Sequence, residues 1–272
     1  MLSSKAMTNT STAPNFPFSQ AAGAAFDLPP LLPQLKTSSA LFLDFDGTLA
    51  DIASQPELAH VPPGMNTLLQ ALFNQLGGAL AIVTGRRLVD IDGFLSPQQL
   101  PTAAEHGAYQ RFDDGRMVHF AEPDLQHVSK VALGLAALHA GLRVELKTTA
   151  VALHYRHAPE LESLCLEALA EAVKRTPNVE LMQGKCVLEV KLAGISKGSA
   201  IDIYMRHAPF AGRVPIFAGD DTTDEAGFAA VQAMGGDGIK IGEGISLANH
   251  RCLSPLVFRA WLKTSAASLA AA

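Results

Sequence analysis

The stretch Leu41-Phe42-Leu43-Asp44-Phe45-Asp46-Gly47-Thr48-Leu49 constrains this chain more than any other. Ala40 to Leu43 is a continuous apolar run, the pattern of a strand buried on both faces of a parallel sheet. It ends in two carboxylates two residues apart. In extended backbone, side chains at i and i+2 point to the same side, so Asp44 and Asp46 converge just past the strand's end. Gly47 then frees the backbone to turn. Paired acids at the carboxyl end of a buried parallel strand stand where open α/β sheets bind their ligands. A plain polar turn accounts for one Asp. It gives no reason for two converging acids beside a Gly and a Thr.

The rest of the chain repeats this rhythm. Pro62-Pro63 opens a helical pattern carrying Leu68, Leu69, Leu72, Phe73 and Leu76, and Gly77-Gly78 closes it. Ala79 to Val83 is a second buried strand, ending in Thr84-Gly85-Arg86-Arg87. A helix through Leu88, Ile91 and Phe94 follows, and a short strand, Leu100 to Ala104, leads to Glu105-His106-Gly107. The rhythm resumes at Ser196, which caps a helix from Lys197. The strand Val214 to Ala218 then leads into the acidic turn Gly219-Asp220-Asp221-Thr222-Thr223-Asp224-Glu225, and a helix to Met234, a strand Gly238 to Ile241 and a helix around 256–262 complete the set. Alternating strands and helices predict a Rossmann-like parallel sheet with helices on both faces.

Between the two halves lie about ninety residues, far more than the ~2–6 of an ordinary connection. Helical patterns at about 124–140 and 160–175 alternate with strands near 109–120, 143–147, 151–157, 179–183 and 186–191. This predicts an inserted α/β cap domain, a small sheet with two helices on one face. Expected bounds are 35–107 and 194–265 for the core, 108–193 for the cap, and flexible ends at 1–34 and 266–272. Period-two alternation puts Val144, Leu146, Val151, Leu153, Tyr155, Leu188 and Val190 on one face of the small sheet. Arg143, Glu145, Lys147, His154, Arg156, Glu189 and Lys191 fall on the other, with Val187 an apolar exception. Such a face is either solvated or closes over a polar, anionic ligand.

Charge and cysteine usage narrow the function. The 272 residues carry 21 Lys and Arg against 26 Asp and Glu, a net charge of −5. Charge is not gathered into long blocks, so no nucleic-acid partner is expected. No apolar run approaches the ~20 residues that span a bilayer, so no membrane partner is expected either. Cys165, Cys186 and Cys252 are scattered without CxxC spacing and read as thiols of a reducing compartment, which points to the cytoplasm. Residues 1–34, rich in Ser, Thr, Ala and Pro, lack the charged start and apolar core of a signal peptide. They read as mostly disordered, with Leu28 to Leu35 against the core.

Four polar stations follow the buried strands or open the helices: Asp44/Asp46/Thr48, Thr84, Lys197 and Asp220/Asp221/Asp224. Loops at the carboxyl ends of parallel strands converge, so five carboxylates, one ammonium and two hydroxyls share a site. So many acids do not stay ionised together without a cation. A hard divalent ion, Mg²⁺, fits oxygen ligands and a phosphate. An Asp there can attack phosphorus to form an aspartyl-phosphate, Lys197 offsets the like-charge repulsion, and Asp46 can move the proton of the leaving alcohol and then of water. Thr84 and the helix start at Lys197 can hold the phosphate.

These motifs resemble the haloacid dehalogenase-like superfamily: Asp44-Phe45-Asp46-Gly47-Thr48 for DxDGT, Thr84 and Lys197 for the second and third motifs, and Gly219-Asp220-Asp221-Thr222-Thr223-Asp224 for GDxxxD. The resemblance implies Asp44 as nucleophile and Asp46 as general acid/base. It implies Mg²⁺ held by Asp44, the Asp46 carbonyl and Asp220, supported by Asp221 and Asp224. Within the superfamily the chain is similar to trehalose-6-phosphate phosphatases, through Thr84-Gly85-Arg86, Glu105-His106-Gly107, Lys147 with His154-Tyr155-Arg156, Gly184 to Val190, and Ser196-Lys197-Gly198. That resemblance implies sugar contacts from Lys147, Arg156, Lys185 and Glu189, and makes Thr48, Arg86, Glu105 and His106 further candidates on the substrate. His106 reads best as a hinge or cap contact. The implied activity is hydrolysis of trehalose 6-phosphate, with a functional partnership with the upstream sugar-phosphate synthase. Alternatives are a phosphatase for another sugar phosphate, a phosphomutase, and a sugar-phosphate-binding regulator without catalysis.

Overall fold

The structure, a computed structural model, describes residues 32–53 and 58–271; most of the expected N-terminal tail, residues 1–31, lies outside them. The first strand, β1 (Ser39–Leu43), is buried along its whole length. Fully burying a Leu or Phe side chain stabilises by about 1.5–3 kcal/mol, so β1 anchors whatever follows it. The chain continues through α1 (Met65–Gln75), β2 (Leu80–Val83), α2 (Leu88–Leu95) and β3 (Thr102–Ala104). Next come β4 (Tyr109–Arg111), β5 (Met117–His119), α3 (Gln126–Leu138), β6 (Arg143–Leu146) and β7 (Ala150–His154). After α4 (Glu162–Lys174), β8 (Val179–Gly184) and β9 (Val187–Leu192), the core resumes with α5 (Lys197–Met205) and β10 (Val214–Gly219). It ends with α6 (Glu225–Ala233), β11 (Asp237–Ile241), β12 (His250–Cys252) and α7 (Pro255–Ala270).

The large sheet has the order β12-β11-β10-β1-β2-β3-β4-β5. Its strands are parallel from β12 to β3 and antiparallel at β4 and β5. After β1 the chain moves outward one way, to β2 and β3. After β10, hydrogen-bonded beside β1, it moves outward the other way. Right-handed crossovers therefore place the following helices on opposite faces, α1 packing with α7 and α6 with α5. The carboxyl ends of β1 and β10 flank the point where strand order reverses, which is where such sheets open a ligand crevice.

The small sheet, β6-β7-β9-β8, is antiparallel throughout. One face packs on α3 and α4 through Val128, Ala132, Val151, Leu153, Cys165, Leu169, Leu188 and Val190. On the other face, pairing lines up Glu145, Ala152, Glu189 and Met182 in one row and Arg143, His154, Val187 and Gly184 in the next. Val187, an exception to the alternation by type, thus sits on the polar face.

Two expectations are corrected, and one strand is added. The strands near 109–120 belong to the large sheet: β4 pairs with β3, and Tyr204 Oη donates to the Arg111 carbonyl at 2.7 Å. Residues 266–270 are the last turns of α7, with Ala266 and Leu269 buried in the main core. The edge strand β12 was not expected, because His250-Arg251-Cys252 carries no apolar pattern. Leu32 and Leu35 do pack against the core.

Helix α5 opens with Ser196 accepting from the Ser199 amide and Ser199 answering in a capping box. Behind it, Gly198 lies so close to the Ala226 carbonyl of α6 that a Cβ would overlap it. Gly198→Ala is therefore expected to destabilise by roughly 1–3 kcal/mol, as overpacking against backbone does, measured by chemical denaturation.

Candidate active site

The end of β1 is held by the Asp44 amide donating to the Ala218 carbonyl at 2.9 Å. The chain then turns at Gly47, φ 72°, where a Cβ would collide with the Asp220 carboxylate. A glycine is needed there for space and conformation alike. Across the switch point, Lys197 Nζ donates to Asp44 Oδ1 and Asp224 Oδ1, both at 2.6 Å. Asp224 Oδ2 accepts from the Asp221 amide at 2.8 Å, and Gly219 leaves room for the Asp224 carboxylate. Lys240 donates to the Asp220 carbonyl from β11.

Charge in this cluster is unbalanced. Asp44, Asp220 and Asp224 each bring an oxygen within 4.8 Å of the others. Burial pushes the Asp44 carboxyl well above its usual range, against the pull of Lys197. Burial, aided by Asp224, raises Asp220 to about 7. Burial would lower the Lys197 ammonium, but Asp224 and Asp44 outweigh it and hold it above the ordinary lysine value. Three crowded carboxylates with one ammonium form a hard-oxygen site that a divalent cation such as Mg²⁺ fits. Asp46 and Asp221 are not in this trio; Asp221 lines the cavity beside it.

Asp46 is gripped by Arg86, Nε to Oδ2 at 2.6 Å and Nη2 to Oδ1 at 2.7 Å. The guanidinium is wedged over the rings of Phe45 and Phe94, and the Arg86 amide donates to Thr84 Oγ1 at 3.1 Å. Thr84 is buried and opens onto the same cavity. That cavity, about 270 Å³, lies between the carboxyl ends of the large sheet and the polar face of the small one.

In the small sheet's polar face, Lys147 Nζ donates to Glu189 Oε2 at 2.9 Å, and His106 Nε2 lies 3.3 Å from Glu189 Oε1 without completing a hydrogen bond. Arg156 and Lys185 stand at the cavity wall, Arg156 donating to the Lys185 carbonyl at 3.4 Å. Two expected substrate contacts are occupied elsewhere. The buried Thr48 hydroxyl donates to Asp44 Oδ2 at 3.3 Å. The buried Glu105 carboxylate accepts from the amides of Thr148 and Thr149 and from the Thr149 hydroxyl. Neither residue lines the cavity, whereas His106 and Arg86 do. Ile52, Glu145, His154, Met182 and Val187 also line it and were not singled out as site residues. Alternation already placed Glu145 and His154, now 3.0 Å apart, on this face; nothing in the local pattern marks Ile52.

The buried Glu189 sets a pH dependence. Burial would raise its carboxyl, but Lys147 and His106 outweigh it and hold it far below the usual range. A folded pKa below the unfolded one adds stability that is complete above the unfolded value and lost as pH falls. The stability difference between wild type and Glu189→Gln should therefore shrink between about pH 6 and about pH 3, mostly below the ordinary carboxylate pKa of about 4.3. Urea denaturation across that window checks it; a constant difference would show that the charge of Glu189 is immaterial.

Comparisons with known proteins agree with this geometry. The family model for trehalose-phosphatase matches residues 42–245. The trehalose-6-phosphate phosphatase of Escherichia coli K12 is 40% identical over 233 residues, covering 85% of this chain and 88% of the relative. A bifunctional trehalose-6-phosphate synthase/phosphatase of Thermoproteus tenax is 31% identical over 221 residues, covering 78% of this chain and 29% of that protein. Among solved structures, the C-terminal domain of a Candida albicans trehalose-6-phosphate phosphatase superposes with a TM-score of 0.77 at 21% identity, over 85% of this chain and 93% of the other. The chain belongs to the trehalose-phosphatase family of phosphoric monoester hydrolases, and its fold is shared by a solved haloacid dehalogenase-like hydrolase of Bacillus subtilis, with a TM-score of 0.61 at 14% identity over 82% of this chain and 99% of the other.

Proposed function

We propose that this chain hydrolyses trehalose 6-phosphate to trehalose and phosphate through a phosphoryl group carried on Asp44. The observation that carries the reading is Asp44 at the switch point, bonded to Lys197 and crowded by Asp220 and Asp224, beneath a ceiling of sugar-type donors and acceptors. An Asp44 oxygen bonds to phosphorus as the bond from phosphorus to the sugar oxygen breaks, and the leaving oxygen takes a proton from Asp46, which leaves its pair with Arg86 to carry that proton. Water then attacks phosphorus, Asp46 takes its proton, and the bond to Asp44 breaks to regenerate the carboxylate. Lys197 offsets the negative charge brought together by carboxylate and phosphate, and Thr84 offers a hydroxyl to a phosphate oxygen. Asp44, Asp220 and Asp224, with the Asp46 backbone and Asp221 beside them, would hold Mg²⁺, which would supply positive charge to offset that of the phosphoryl oxygens.

The segment from α3 to β9 acts in this reading as the cap, with Lys147, Glu189, Glu145, Arg156 and Lys185 facing the sugar. The core is the remainder, including β4 and β5. No helix among the described residues is long and apolar enough to cross a membrane. The fused synthase/phosphatase of T. tenax supports a functional link to the enzyme that makes the sugar phosphate.

Phosphate release from trehalose 6-phosphate, glucose 6-phosphate and sucrose 6-phosphate tests the substrate, with trehalose 6-phosphate expected to be strongly preferred; equal rates would overturn the narrow reading. Chelation should stop release and added Mg²⁺ restore it. Asp44→Asn should lower kcat on the order of a thousandfold or more while the fold is retained, as loss of a covalent nucleophile does. Glu189→Ala should cut kcat/KM for trehalose 6-phosphate about 10- to 100-fold, the equivalent of one charged hydrogen bond of roughly 1.5–3 kcal/mol, and spare a small aryl phosphate.

A further inference from the structure

Glu105 and His106 are consecutive non-glycine residues with positive φ, 48° and 60°, directly after β3. Strained backbone persists where the surroundings hold it, and here they do so from two sides. On the core side, the Glu105 amide donates to the Arg86 carbonyl at 2.9 Å and the His106 amide to the Thr84 carbonyl at 2.8 Å. The His106 ring packs against Gly85, where a Cβ would come within 2.7 Å of it. The strained pair is thus part of the loop that lines the phosphate side of the cavity.

On the other side both residues reach the small sheet. Glu105 Oε2 accepts from the Thr149 amide at 2.6 Å and its hydroxyl at 2.7 Å, and Oε1 accepts from the Thr148 amide at 3.3 Å. These residues form the β6–β7 turn, closed by the Lys147 amide donating to the Ala150 carbonyl at 2.9 Å. The turn carries Lys147, whose ammonium grips Glu189, and His106 meets Glu189 from the core. Glu105 is buried, and its carboxylate touches no part of the cavity.

We propose that Glu105 is a positioning residue: it latches the β6–β7 turn to the phosphate loop and so sets Lys147 and Glu189 over the site. The cap turn offers two amides and a hydroxyl as donors, and one carboxylate gathers all three. The strained conformation of residues 105–106 aims that carboxylate outward at the cap, while the backbone stays tied to Thr84 and Arg86. The consequence for selectivity rests on the reading of Glu189 and Lys147 as sugar contacts.

The test compares wild type, Glu105→Ala, Glu105→Gln, Thr149→Val and Glu189→Ala, each checked for fold by circular dichroism. Two readouts are taken: the ratio of kcat/KM for trehalose 6-phosphate to that for p-nitrophenyl phosphate, and small-angle scattering without ligand. Glu105→Ala should lower the ratio at least tenfold, chiefly through KM for the sugar phosphate, and increase the radius of gyration. Thr149→Val and Glu105→Gln should move both readouts the same way by less, and they carry the test where Glu105→Ala fails to fold. In a Glu189→Ala background, Glu105→Ala should lower the ratio little further. Unchanged scattering overturns the latch. So does an unchanged ratio in the Glu105 variants where Glu189→Ala itself collapses it, or full additivity of the two changes. An unaltered ratio in Glu189→Ala overturns instead the sugar-contact reading, and scattering alone then decides the latch.

Discussion

A buried ammonium between two buried carboxylates holds the centre of this structure. Taking Lys197, Asp44 and Asp224 out of water is costly, and their mutual attraction repays it only in good geometry. The fold supplies that geometry from three places: Asp44 directly follows β1, Lys197 opens α5, and the turn before α6 carries Asp224. Gly198 brings α5 onto α6 and Gly47 brings the β1 turn onto Asp220. Close backbone approach, rather than side-chain choice alone, therefore fixes the distances. The cluster still has more carboxylate than ammonium, and burial raises Asp44 and Asp220 accordingly. Further positive charge at such a site would offset the surplus, the condition under which the proposed nucleophilic carboxylate can approach a phosphate.

The centre of the fold was legible in the sequence because it depends on strong, local signals. Long apolar runs ending in acids, Thr-Gly or Gly-Asp name the buried strands and the side on which their loops gather. The margins were not legible. Tyr109–Arg111 and Met117–His119 are three residues each, too short for a period to show, and their place in the large sheet depends on the reversal at Glu105-His106-Gly107. The alanine-rich end, expected as a flexible tail over 266–272, continues the last helix through Ala270. It is helical because alanine favours helix and because Ala266 and Leu269 find the core. Tertiary contact settled both cases.

Within the site, residue type and spacing showed which acids gather but not what each one meets. Asp46 reads as a free acid/base and is found in a two-bond grip with Arg86. Thr48 and Glu105 read as ligand contacts and are found bonded to protein partners behind the cavity wall. Short-range periodicity gives direction only, whereas a partner such as Thr149, forty-four positions from Glu105, is brought in by the docking of one sheet on another. Alternation did place Glu145, Lys147, His154 and Glu189 on one face. Strand register, which alternation cannot supply, lines Glu145 and Glu189 up in a single row.

The two walls of the cavity differ in how their charges are balanced, and the difference divides the ligand between them. On the sheet side, Lys197 faces a surplus of carboxylates and the site lacks positive charge, which suits a cation–phosphate pair. On the cap side, Lys147 is paired with Glu189 and His154 lies 3.0 Å from Glu145, while Arg156 and Lys185 add donors at the wall, giving a surface dense in donors and acceptors. A group whose hydroxyls both donate and accept gains a partner for each. In the proposed reading, charge sorts the phosphate end and hydrogen-bond pattern the alcohol end. The two tests share one cavity because residues 105 and 106 tie its walls together.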